Sequence, residues 1–113
     1  MDFDNGRSRP DIIASIDDLP IDDNSFDAII ASEVLEHTFY LDKAISEMKR
    51  VAKNGAFIYI STPFMLGEHG VPYDFQRLTR YKYHQLFKND EIVLLRETNY
   101  SPATIFFIAN VCW

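Results

Sequence analysis

Two apolar runs flank one amphipathic helical stripe, and this arrangement restricts the possible folds more than any other feature of the chain. Phe26-Asp27-Ala28-Ile29-Ile30-Ala31-Ser32 reads as a strand. Its near-continuous apolar character predicts burial on both faces, as in a parallel sheet. Leu41, Ala44, Ile45, Met48, Val51 and Ala52 then recur at helical spacing as a single stripe. Asp42, Lys43, Glu47, Lys49 and Arg50 cover the other face. Asn54-Gly55 is expected to end the helix as a C-cap, with basic residues in the last turns where the helix dipole favours them. Ala56-Phe57-Ile58-Tyr59-Ile60-Ser61 is the next buried strand, closed by Thr62-Pro63. Strand, helix and strand with short connections imply a parallel pair with a right-handed crossover, the unit of doubly wound α/β folds.

The flanking segments extend the pattern. Asp11–Ile16 is a short β-branched run, expected as a strand, and Asp17-Asp18-Leu19-Pro20 ends it because proline cannot continue a ladder. Asp22-Asp23-Asn24-Ser25 is a polar turn. The stretch from Phe64 to Leu78 is irregular. Thr79 is placed to N-cap a short helix carrying Tyr83, Leu86 and Phe87 on one face, and Glu91–Thr98 reads as a last strand. Ser101-Pro102 resembles a helix start, although Thr104-Ile105-Phe106-Phe107-Ile108 could equally be a strand; helix is the preferred reading.

Composition excludes several functions. The 113 residues suffice for one small domain, and 47% hydrophobic with 25% charged residues is ordinary globular composition. The net charge of −6 includes no basic stripe that could neutralise phosphates, so neither nucleic acid nor an anionic membrane surface is an expected partner. Membrane insertion is not expected either: the apolar run from Ala103 to Trp113 is too short to span a bilayer. Met1-Asp2-Phe3-Asp4 is acidic where a secretory signal would be basic. The single cysteine, Cys112, cannot form an intramolecular disulfide, which suits a cytoplasmic location.

Four motifs in order carry a family resemblance. Leu19-Pro20-Ile21-Asp22-Asp23-Asn24-Ser25-Phe26-Asp27 is followed by an apolar strand. Glu33-Val34-Leu35-Glu36-His37 comes next, then Glu47-Met48-Lys49-Arg50-Val51 with Lys53-Asn54-Gly55. The last is Thr62-Pro63-Phe64 with Glu68-His69, Pro72-Tyr73-Asp74-Phe75-Gln76-Arg77 and Thr79. Together they resemble the class I S-adenosylmethionine-dependent methyltransferases typified by the ubiquinone and menaquinone biosynthesis enzymes, over about Asp11 to Thr98.

The resemblance implies a single truncated methyltransferase-like domain over residues 1–113, with a partial Rossmann-like α/β sheet, mostly parallel, helices on both faces and its first strand absent. In the family order 3-2-1-4-5-7-6, Asp11–Ile16 would be strand three, Phe26–Ser32 strand four, Ala56–Ser61 strand five and Glu91–Thr98 strand six. No clear strand seven is expected after it. Met1–Asp4 would be the tail of strand two, with Asp2, or second Asp4, taking the cofactor ribose. Ser15 stands where an Asp usually contacts the adenine amino group, and the Ile16 backbone N–H would meet the adenine ring. No Gly-x-Gly occurs; the four glycines are Gly6, Gly55, Gly67 and Gly70. The cofactor implied is S-adenosylmethionine, with weakened or lost binding for want of the glycine loop. The strand-four edge would be open, to be covered by a second copy or a partner chain.

Methyl transfer requires proximity and orientation, and sometimes a base to take the acceptor's proton. Ser32, Glu33 and Val34 end a strand where ligands of open α/β sheets bind, so Ser32 and Glu33 join the cofactor candidates. Glu33 and His37 stand four apart, but no third or fourth ligand recurs nearby and no metal is expected. His37 is instead expected to bond locally or to line the cofactor pocket. His69 is the candidate general base, with Asp74 and His37 as further catalytic candidates in or beside the long segment. Asp74 and Arg77 also suit an ion pair that orders that segment. Phe64, Tyr73, Phe75, Tyr81 and Tyr83 are expected mostly in the core, one or two of them walling a substrate pocket. The expected function is methyl transfer to a small-molecule or a lipid- or sugar-linked acceptor. The alternative is a non-catalytic truncated homologue acting as an interaction module or partner subunit.

Overall fold

The computed structural model describes residues 10–65, 68, 71–98 and 103–112. Four strands form one sheet: β1 (Phe26–Ser32), β2 (Ala52–Met65), β3 (Glu91–Glu97) and β4 (Ala103–Asn110), in the order β1-β2-β4-β3. β1 and β2 are parallel, and β4 runs antiparallel to β2 and β3, so three strands share one direction. Between β1 and β2 lie a 3-10 turn, Leu35–His37, and helix α1, Leu41–Val51; α2, Arg80–Leu86, precedes β3. The strand–helix–strand unit and the mixed α/β class follow the sequence pattern.

Helix α1 buries Ala44, Ile45, Met48 and Val51, the expected stripe. It ends at Val51, earlier than Asn54-Gly55. Its last carbonyls are met by the upstream turn instead: the Asn24 and Ser25 N–H groups reach the carbonyls of Arg50 and Val51 at 2.9 and 2.8 Å. No glycine cap is then needed. Gly55, at φ 84°, lies within β2 and sends its N–H to the Val111 carbonyl at 2.8 Å. Arg50 clamps the same turn, donating to the carbonyls of Ile21 and Leu19 (2.8 and 2.9 Å) and to Glu47 and Asp23 (2.7 and 2.6 Å). These bonds set where β1 begins.

The core lies on one sheet face. Ile58 and Ile60 of β2 and Phe107 and Ala109 of β4 are fully buried and belong to one cluster with the α1 stripe. Tyr83 stacks on Phe107 with ring centroids 4.7 Å apart, and Phe87 lies at 4.6 Å. Lys49 of α1 donates to the Leu86 carbonyl at 2.8 Å and pairs with Asp90 at 2.7 Å, joining the two helices. Thr79 caps α2 as expected, accepting from the Lys82 N–H.

Three strand expectations are corrected. Asp11–Ile16 forms no strand; it bends, with one isolated bridge between Ser15 and Asp18. β1 pairs only with β2 among the described residues, so the run has no ladder to join. β1 itself is not buried on both faces: Ile30 is 74% exposed, because both described helices cover the other side. Residues 103–110 form β4, not a helix, and stand where a seventh strand was not expected. Their alternation decides it: Ile105, Phe107 and Ala109 are buried while Thr104, Phe106 and Ile108 are half-buried. The Ser101-Pro102 signal and the Met1–Asp4 strand tail lie outside the described residues.

Candidate functional site

The segment that leaves the carboxyl end of β1 lines a cleft together with residues 15–17, Tyr73 and Phe75. Ser32 and Ser61 face each other across the two strands, hydroxyl to hydroxyl at 3.1 Å. The Glu33 N–H donates to the Ser61 carbonyl at 2.9 Å, and Glu33 adopts a left-handed φ of 54° to leave the strand. A non-glycine residue in that region costs on the order of 1 kcal/mol or more, and such residues gather at functional sites.

The cleft has a volume of about 680 Å³, within the range that holds small ligands. Its lining includes Ser15, Ile16 and Asp17 with Glu33 and Val34. His37 and Thr38 also line it, and Phe39, Tyr40, Tyr73 and Phe75 add a wall of rings in contact with one another. A larger hollow of about 880 Å³ lies by Asp23, Glu47 and Arg50 at the far end of α1. Those three side chains already pair with one another, so they offer a ligand little.

Four sequence candidates, Ser15, Ile16, Glu33 and His37, therefore meet in one cleft. Ser32 sits beside it at the end of the β1–β2 ladder. Asp74 is absent from the lining: its carboxylate, 4% exposed, binds Arg77 through two contacts of 2.5 and 2.9 Å. Asp2 and His69 lie outside the described residues.

A strap from Tyr73 to Gln76 is pinned over the 3-10 turn. The Phe75 N–H donates to the Glu36 carbonyl at 2.8 Å. Gln76 Nε2 donates to the carbonyls of Leu35 and Thr38, both at 2.6 Å. His37 Nδ1 donates to the Tyr73 carbonyl at 2.5 Å, so in neutral His37 the basic nitrogen is Nε2. Nε2 lies 3.9 Å from Glu36 Oε2. Glu36 is fully buried. Burial, reinforced by the nearby Glu33 carboxylate, pushes its carboxyl up to about 7. Beneath it, Thr62 and Tyr83 share a buried hydroxyl–hydroxyl bond of 2.6 Å, and burial raises the Tyr83 phenol well above its ordinary range.

Sequence reasoning missed Asp17, which lines the cleft and accepts a hydrogen bond from the Ser15 hydroxyl. The Asp17-Asp18 pair after a β-branched run was its only trace. Sequence reasoning also put Phe64, Tyr73, Phe75 and Tyr81 mostly in the core; all four are exposed, and only Tyr83 of that set is buried. Among the described residues no group of three or more His, Cys, Asp or Glu could hold a metal, and no helix is long and apolar enough to cross a membrane.

Comparison with known proteins bears on the family and the fold. A family model described as a methyltransferase domain matches residues 4–60, half of the chain. An uncharacterised protein of Methanocaldococcus jannaschii is 49% identical over 43 residues, covering 38% of this chain and 19% of that protein. Among solved structures, the complex of the Haloferax volcanii Trm112 methyltransferase activator with a methyltransferase superposes with a TM-score of 0.77 at 14% identity. That match covers 94% of this chain and 65% of the solved chain. The Burkholderia thailandensis 1,6-didemethyltoxoflavin-N1-methyltransferase, solved with its acceptor and S-adenosylhomocysteine, gives 0.74 at 10% identity, covering 90% of this chain and 50% of that one. The chain thus spans less than two thirds of each of these three proteins.

Proposed function

This chain belongs to the methyltransferase-domain family, and from that premise we propose that its cleft binds S-adenosylmethionine and a methyl acceptor side by side. The observation that carries the reading is the meeting of Ser15, Ile16, Glu33 and His37 around one cleft beside the carboxyl end of β1. The residues present suit the cofactor. Ser15 and Asp17 offer a hydroxyl and a carboxylate to the adenine amino group, and Ile16 and Val34 offer apolar walls to its ring. Glu33 offers negative charge near a sulfonium, and Ser32 and Asp2 are the further cofactor candidates.

When bound, S-adenosylmethionine supplies a methyl group on a positively charged sulfur, which leaves as a neutral thioether. The chain's own residues then do the rest. The cleft holds the acceptor in line with the methyl group. His37 Nε2, 3.9 Å from the Glu36 carboxyl, takes the proton that the acceptor oxygen or nitrogen loses. The Asp74–Arg77 pair keeps the strap, and so His37, in position. His69 remains a second base candidate. The acceptor is a small molecule, free or linked to a lipid or sugar, and the setting cytoplasmic.

Equilibrium titration with S-adenosylhomocysteine tests this reading. Saturable binding that Glu33→Ala and Ile16→Ala both weaken is the expected result; no binding at millimolar ligand overturns it. A second reading, a partner subunit of a larger assembly, is favoured by the uncovered sheet face, where Ile30 is 74% and Phe57 51% exposed. Sedimentation of the chain alone separates the two, since a partner subunit associates while lacking cofactor affinity.

A further inference from the structure

We infer that the methyl acceptor is a flat aromatic compound without anionic groups, seated against a wall of aromatic rings in the cleft. The inference rests on the reading of this cleft as the cofactor and acceptor site. Phe39, Tyr40, Tyr73 and Phe75 all line the cleft. Phe39 and Tyr73 are 68% and 61% exposed, and the other two are also exposed. The rings touch one another rather than the core. Phe39 lies edge-to-face with Tyr40 at 4.8 Å and with Phe75 at 5.2 Å, and Tyr73 meets Phe75 at 6.5 Å. A small domain rarely leaves so many contiguous rings uncovered without a use for them.

The wall is also preorganised. Tyr73 and Phe75 are carried by the strap, which His37 and Gln76 and the Phe75 N–H pin to the segment bearing Phe39. A ligand binding there pays little to order it. Ring faces and edges held this way suit stacked and edge-on contact with another ring.

Charge narrows the class. Among the described residues, the cleft lining holds the carboxylates of Asp17 and Glu33 and contains neither Lys nor Arg. The guanidinium of Arg77 is bound to Asp74. Lys43 Nζ stands over the Tyr40 ring, 5.8 Å from its centroid, outside the lining, so a phosphate or carboxylate seated in the cleft would still be desolvated beside like charge. A sugar needs several hydrogen-bond partners, and the Thr38 hydroxyl already donates to the Val34 carbonyl at 3.3 Å. A phenol or aromatic amine needs one, opposite His37.

Three probes separate these classes on the full chain saturated with S-adenosylhomocysteine: naphthol, naphthyl phosphate and methyl glucoside, each followed by saturation-transfer NMR and calorimetry. Naphthol is expected to bind, with naphthyl phosphate roughly tenfold or more weaker and the glucoside undetectable. Phe39→Ala and Phe75→Ala, checked for folding by circular dichroism, each weaken naphthol roughly tenfold, and Phe39→Tyr restores it. Equal or tighter binding of the phosphate or the glucoside overturns the inference, as does unchanged naphthol binding in Phe39→Ala. If S-adenosylhomocysteine binds and naphthol does not, the acceptor class alone is wrong. If S-adenosylhomocysteine itself fails to bind, the reading of the cleft falls and the inference with it.

Discussion

The imidazole Nδ1 of His37 sits 2.5 Å from the main-chain carbonyl of Tyr73, 36 residues further along the chain. A carbonyl only accepts, so this contact fixes the neutral tautomer and leaves Nε2 as the basic nitrogen. The same bond holds the strap over the 3-10 turn. One side chain thus serves both the wall of the cleft and the proton transfer expected within it.

Replacing that base should separate binding from turnover. His37→Asn keeps an N–H donor but cannot take up the acceptor's proton. Methyl transfer to a phenol, followed with a radiolabelled methyl group, is expected to slow by about 10²- to 10⁴-fold. S-adenosylhomocysteine affinity should change little, because the proposed role of His37 is to take the acceptor's proton. An unchanged rate would transfer the role to another group, His69 first.

Glu36 makes stability depend on pH in an unusual direction. Its carboxyl is raised from 4.5 unfolded to about 7 folded, chiefly by burial. The folded state therefore favours the protonated form. The contribution is complete below about 4.5 and is lost as the pH rises through about 7. The loss is on the order of 3 kcal/mol. Urea unfolding at a series of pH values should show this decline, and Glu36→Gln should remove it. A wild-type profile flat over that interval would contradict the burial account.

The Thr62–Tyr83 bond predicts non-additivity. Tyr83→Phe leaves the Thr62 hydroxyl buried without its 2.6 Å partner, and is expected to cost about 1–3 kcal/mol. Thr62→Val should cost a similar amount. The double variant should cost less than the sum of the two, since no buried hydroxyl is then stranded. Urea midpoints of the four proteins measure the coupling directly; strict additivity would mean that the two hydroxyls do not depend on each other.

The fold was legible where the signal was local. The stripe from Leu41 to Val51 and the apolar runs on either side predicted the strand–helix–strand unit, and Thr79 announced α2. The 103–110 strand was misread because Ser101-Pro102 is a local helix signal, whereas the segment's pairing with β2 and β3 is long-range. Asp11–Ile16 had strand composition but no neighbour to pair with among the described residues. At the site, motif order led to Ser15, Ile16, Glu33 and His37. It could not reveal that Glu36 is buried, because the strap that covers the turn comes from about 40 residues away. Nor could it reveal the aromatic wall: apolar residues at irregular spacing look like core until their exposure is known.

Ser15, Ile16, Asp17, Glu33 and Val34 are the part of the cleft lining proposed to hold the cofactor. Amide chemical-shift mapping during titration with S-adenosylhomocysteine tests this placement most directly. Shifts concentrated on Ser15, Ile16, Asp17, Glu33 and Val34 are the predicted result. Shifts centred on Asp23, Glu47 and Arg50, or none at millimolar ligand, would contradict it.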